Sequence, residues 1–203
     1  MAVKVPQTVS DDIRLSVALQ FPKEDVLTNE QLLKLSSLNR DLRLERSHQG
    51  DLIVMTPTGG LSSQRNAEII FQLKLWAKDD GTGKVFDSSG GFSLANGAVR
   101  APDAAWVRNE TLMKLSQEEP EGYPPLCPTF VIELRSATDR LSELKEKMQE
   151  YVDNGALLGW LIDPTERAVY VYFGDGIKVL DNPEKVSGEP LLKGFELDML
   201  EVF

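Results

Sequence analysis

Asp103 and Glu133 are the two residues whose setting in this chain points to chemistry. Each is a carboxylate in an otherwise apolar run, Asp103 in RAPDAAWV and Glu133 in FVIEL. An acid at the end of a buried strand is costly unless a cation, a metal or water compensates it. Two such carboxylates near one sheet edge would clamp a divalent cation, which prefers oxygen ligands. A lysine nearby would then orient or deprotonate water for attack on phosphorus. The same residues admit a bland reading, with Asp103 closing an Asx turn after Pro102 and Glu133 paired with Arg135 or Arg140. Spacing alone leaves both readings open.

Other chemistries find little support. The chain has one cysteine and one histidine, Cys127 and His48, too few for a zinc site or an internal disulfide. His48 falls in a hairpin turn and reads as a solvated loop residue with no triad partner. Gly59-Gly60 and Gly81-Thr82-Gly83-Lys84 do not match GxxxxGK[ST], so these glycines are assigned to turns. A lone cysteine suits a reducing cytoplasm, and no signal peptide opens the chain. No apolar run approaches the roughly 20 residues of a membrane span. A net charge of -10 argues against a broad electrostatic footprint for nucleic acid.

The elements that must position the two acids centre on residues 129–164. Phe130–Leu134 reads as a strand covered on both faces, with Glu133 and Arg135 on one face. A helix follows, capped by Thr138 or Asp139, with Leu141, Leu144, Met148 and Val152 as its buried stripe. Asn154-Gly155 stops it, and Leu158–Ile162 forms a second, parallel strand.

A single domain of 203 residues is expected, with a flexible arm over residues 1–16. Thr28 and Gln31 make a capping box for a helix carrying Leu32 and Leu35. Leu42–Ser47 and Leu52–Thr56 form a hairpin about Gln49-Gly50, and Ser63–Asp79 a second helix with Glu68 in its first turns. Lys84–Asp87, Phe92–Leu94 and Arg100–Val107 read as strands. Residues 109–128 read as an insertion containing a polar helix (Glu110–Glu118) and a proline-rich loop. Ala168–Phe173 and Ile177–Leu180 form a terminal hairpin, and the tail from Pro190 to Phe203 has no clear period.

Pro102-Asp103 followed by Glu133 on the next core strand resembles the PD-(D/E)XK nuclease superfamily. RAPDAAWV, FVIELRSATDR, KMQEYVDNGALLGWLIDP and GFELD resemble, more narrowly, its restriction-endonuclease-like family abundant in cyanobacteria, from about residue 28 onward. The resemblance implies an α/β restriction-endonuclease-like fold, a mixed central β-sheet flanked by α-helices. It implies a Mg²⁺-dependent endonuclease (Mn²⁺ possible) acting on DNA phosphodiesters, with Asp103, Glu133 and Glu68 as metal ligands. The superfamily lysine, two residues after the glutamate, is replaced by Arg135, which would hold a phosphate because arginine stays protonated. In the narrower family the lysine moves onto the following helix, four residues before a tyrosine, which selects Lys147 over Lys145. Cleaving both strands calls for two sites and hence a homodimer, with Leu126, Tyr170, Tyr172 and Phe173 available to a second copy. The alternative is a catalytically inactive nuclease-fold binding or regulatory protein, which the net charge favours.

Overall fold

The computed structural model describes residues 16–55, 57–115, 122–174 and 176–203. Most of the expected arm, Thr56, residues 116–118 and Pro120 of the expected insertion and Asp175 lie outside the described residues. Among the described residues, the polar helix expected over Glu110–Glu118 is a single turn, Asn109–Leu112.

Thirteen strands and four α-helices follow one another among the described residues. They are β1 (Ser16–Leu19), α1 (Asn29–Leu38), β2 (Arg43–Arg46), β3 (Leu52–Met55), α2 (Gly60–Asp80), β4 (Gly83–Asp87), β5 (Phe92–Ser93) and β6 (Val99–Arg100). Next come β7 (Ala104–Arg108), α3 (Asn109–Leu112), β8 (Phe130–Leu134), α4 (Leu141–Asp153), β9 (Leu158–Asp163), β10 (Ala168–Phe173) and β11 (Gly176–Asp181). The chain closes with β12 (Lys185–Ser187) and β13 (Glu196–Asp198).

A six-stranded sheet in the order β11-β10-β9-β8-β7-β4 forms the centre. Only β8 and β9 run parallel, as the crossover through α4 requires. Alternation along β7, β8 and β9 splits the core between the two faces. Trp106, Phe130, Ile132 and Trp160 meet Ile69 and Leu73 of α2 on one face. On the other, Ala105, Val131 and Leu161 meet Met148 and Tyr151 of α4. Gly159 allows that second contact, because a Cβ there would lie 2.5 Å from Met148 Cε.

A second sheet, β1-β3-β2-β6-β5, stands beside the first. The capping box of α1 forms as expected: Gln31 N donates to Thr28 Oγ1, and Thr28 N donates to Gln31 Oε1. The strand expected over Arg100–Val107 is broken. Val99–Arg100 belongs to the second sheet and Ala104–Arg108 to the first, because Pro102 offers no ladder N–H and the chain changes sheets there.

Three further expectations are corrected. No side chain caps α4, since Asp139 instead accepts the Ser136 N–H at 2.8 Å and closes the preceding turn. The fully buried residues of α4 are Met148 and Tyr151, while Leu141, Leu144 and Val152 are half-buried. Tyr172, offered to a second copy, is buried in the core beneath α4.

The tail without a clear period is part of the core. β12 and β13 pair antiparallel, and Phe195, Leu197 and Val202 pack onto the α2 face of the sheet. Phe195 stacks on Trp160, with centroids 5.7 Å apart and planes 10° apart. Phe195→Ala is therefore expected to cost about 3–5 kcal/mol in urea denaturation. A loss below about 1 kcal/mol, the range of surface positions, would mean that the tail is peripheral.

Candidate active site

The β7–β8 ladder pairs Ala104 with Ile132, and its continuation sets Asp103 across from Glu133. Both residues line an open cleft of about 1170 Å³. Asp103 Oδ2 accepts the Leu134 N–H at 2.9 Å, tying the crossover to the end of β8. Its Oδ1 lies 2.9 Å from Arg43 Nη1. The same guanidinium donates to the Ala101 carbonyl.

α4 delivers the third group. Lys147 Nζ lies 2.8 Å from Glu133 Oε1 and 2.9 Å from Glu45 Oε1. Tyr151, one turn further along α4, donates from its hydroxyl to Glu133 Oε1 at 3.0 Å. Glu45 comes from β2, in the other sheet. The β2–β6 ladder pairs Arg46 with Val99, so Glu45 falls across from Arg100. Arg100 Nη1 reaches Glu45 Oε2 at 3.1 Å, and its Nε reaches Glu150 Oε2 at 2.5 Å. His48 Nδ1, at the surface, lies 3.3 Å from Glu150 Oε1.

Burial and pairing pull these groups in opposite directions. Burial pushes the Glu133 carboxyl up; Lys147 opposes this, but the Asp103 and Glu45 charges add to it and leave it at about 7. Burial pushes Glu45 the same way, yet Lys147, Arg100 and Arg43 outweigh it and bring that carboxyl down to about 2. Burial disfavours the charged Lys147, but Glu133 and Glu45 prevail and raise its pKa. The ammonium is therefore held protonated. Burial, with Glu133 and Glu45, raises Tyr151 well above its ordinary range, so its hydroxyl remains a donor.

The structure thus brings together Asp103, Glu133 and Lys147. It does not bring Arg135 or Glu68 to them. β8 ends at Leu134, and the Arg135 guanidinium is 2.7 Å from Asp163 Oδ2, a wholly buried carboxylate that needs a cation. Arg135 Nε donates to the Asp139 carbonyl. Glu68 sits on α2, on the opposite face of the sheet from α4, and its carboxylate accepts from Gln72 at 2.9 Å. Neither lines the cleft. The bland pairing of Glu133 with Arg135 is not the one formed, since Arg135 pairs with Asp163 and Glu133 with Lys147. Lys145 lies elsewhere, 4.2 Å from the centroid of the Tyr170 ring. Burial pushes the Cys127 thiol up to about 12, away from the thiolate form that a nucleophile needs.

Sequence reasoning missed Arg43, Glu45, Arg100, Glu150 and Tyr151. Arg43 and Glu45 carried a usable signal, since charges at i and i+2 share one face of a short strand whose intervening residue is apolar. Arg100 and Glu150 carried none, because their meeting depends on a pairing between distant elements.

No group of three or more histidine, cysteine or acidic residues among the described residues is arranged to hold a metal ion. Mg²⁺ requires fewer protein ligands, commonly one or two carboxylates with water or phosphate completing its shell. Asp103 and Glu133 supply two hard oxygen donors in an open cleft, and the ionised form of Glu133 is opposed by Asp103. A divalent cation relieves that opposition, so this donor set fits the ion.

A mixed sheet with one parallel pair, a crossover helix and an Asp and a Glu facing one another on adjacent strands defines an α/β restriction-endonuclease-like fold. The chain belongs to the Uma2 family, described as "Putative restriction endonuclease", whose profile matches residues 29–200. It is also similar to the crystal structure of "a putative nuclease belonging to DUF820" from Anabaena variabilis ATCC 29413. That match has a TM-score of 0.69 at 20% identity, over 87% of this chain and 97% of the other. At this identity the likeness speaks for the fold. No curated protein matches the chain in sequence.

The raised Glu133 carboxyl has a consequence for stability. A group whose pKa rises on folding adds stability that is complete below its unfolded value and is lost as pH climbs through the folded one. For Glu133 that window runs from its ordinary 4.5 to about 7. Glu133→Gln should gain in melting temperature relative to wild type between pH 4.5 and 7.5 without metal. A constant difference across that range would contradict the assignment.

Proposed function

We propose that the protein is a Mg²⁺- or Mn²⁺-dependent endodeoxyribonuclease. The observation that carries this reading is the convergence of Lys147 Nζ on Glu133, opposite Asp103, in an open cleft. The family's description as a restriction endonuclease supports it.

Asp103 and Glu133 would hold the ion, which when bound supplies Lewis acidity and a more acidic water. Lys147 keeps its proton, so its contribution is to donate from Nζ and orient an oxygen at the reacting centre rather than to act as the base. Arg43, which lines the cleft, replaces Arg135 as the guanidinium available to steady a phosphate. Tyr151 keeps Glu133 facing Lys147. Two copies would be needed to cut both strands. Phe173, Ile177 and Val179, all exposed on or near the edge strand β11, are the apolar residues a homodimer would cover. A dimer mass by light scattering at micromolar concentration is the expected result.

One observation favours a second reading, a nuclease fold retained for binding without catalysis. Asp103 already has Arg43 as an ion-pair partner at 2.9 Å, and the chain as a whole is acidic. Cleavage of plasmid and linear DNA with added Mg²⁺ or Mn²⁺, beside calorimetric Mn²⁺ titration, separates the two. The nuclease reading expects weak saturable binding and cleavage, both removed by Asp103→Asn. It expects Lys147→Ala to lower the rate by about a hundredfold or more, and Lys145→Ala to spare it. No cleavage and no metal binding would leave the second reading standing.

A further inference from the structure

Lys147 is a flexible side chain, and the reaction proposed above depends on where its ammonium sits. We propose that Glu45 is the positioning residue for Lys147, an inference that rests on the nuclease reading for its kinetic meaning. Glu45 acts through the lysine and from a different sheet, 102 residues earlier in the chain.

The Glu45 carboxylate is itself held at several points. Oε1 accepts the Ala101 N–H at 3.0 Å as well as the Lys147 ammonium, and Oε2 is paired with Arg100. The side chain is only 2% exposed, so its oxygens have no competing water to exchange with. A backbone donor, a guanidinium and burial make this carboxylate a fixed point, as the end of a lysine stem is not.

Glu133 alone does not hold the lysine in the same way. Its Oε1 is shared between Lys147 and the Tyr151 hydroxyl, and Asp103 stands across from it. With Glu45 on a second side, Nζ is bound between two carboxylates from two sheets and its location follows from the backbone. A purely mechanical clasp between the second sheet and α4 needs no lysine, since Arg100 on β6 already joins Glu45 on β2 to Glu150 on α4. The Lys147 contact adds a donor of defined position on the wall of the cleft.

The test is a double-mutant cycle. Glu45→Gln preserves shape and an oxygen for the Ala101 N–H while removing the charge. Its kcat should fall by about ten- to a hundredfold, with KM within about twofold of wild type. In a Lys147→Ala background the same substitution should change kcat by less than about twofold, because the group it positions is gone. An unchanged kcat, or an equal loss in both backgrounds, would overturn the proposal. Glu45→Asp, which keeps the charge but withdraws it by one methylene, carries the same comparison if Glu45→Gln fails to fold. A second readout needs no cleavage: the ¹⁵N–¹H signal of the Lys147 ammonium should be visible in wild type and lost in Glu45→Gln. Its absence from wild type, or its persistence in Glu45→Gln, would refute the positioning. Loss of the signal in a protein that cuts nothing would sink the nuclease reading while leaving the positioning intact.

Discussion

A buried ammonium between two buried carboxylates is the contact on which this structure turns. Glu45 and Glu133 are buried carboxylates, and Lys147 is the cation they share. Their mutual need joins β2, β8 and α4 at one point. Replacing Lys147 would leave both carboxylates without the cation they share, whereas replacing either glutamate would still leave one lysine–carboxylate pair. Arg100 and Glu150 extend the network outward from Glu45 to α4.

Much of the fold was legible because it rests on local periodicity. The parallel β8–β9 pair, the terminal hairpin and the capping box at Thr28 follow from alternation, turn residues and a single cap. The tail was not legible, because its apolar residues follow the shape of the α2 face and no repeating period. The break at Pro102 was only half legible. Proline marks a place where a ladder cannot continue, but one residue cannot tell that the strand on its far side joins another sheet.

The site divides in the same way. Asp103, Glu133 and Lys147 were picked out because an acid in an apolar run is costly, and because the spacing of a lysine before Tyr151 resembled a family pattern; the structure places the three together. Arg135 was misplaced for an instructive reason. The alternation that put it on the face of Glu133 also put it across from Asp163, and a wholly buried carboxylate holds the nearest guanidinium. Glu68 was misplaced because a helix position was transferred without knowledge of which sheet face the helix covers. Glu45 shared a strand face with Arg43 around the apolar Leu44, a signal that marked the face but not the partner 102 residues away.

The residues between Asn109 and Pro128 separate the site into an earlier and a later half. Arg43, Glu45, Arg100 and Asp103 precede them, while Glu133, Lys147 and Glu150 follow. During synthesis the earlier half emerges first, with Arg43 and Arg100 as the cations at hand for Asp103 and Glu45 before Lys147 exists. β7 likewise has only β4 beside it until β8 arrives. Closure of the central sheet and neutralisation of the cleft therefore become a single late event of high contact order. A ribosome-bound chain stopped in that stretch would carry both members of the Arg43–Asp103 and Arg100–Glu45 pairs but neither Glu133 nor Lys147.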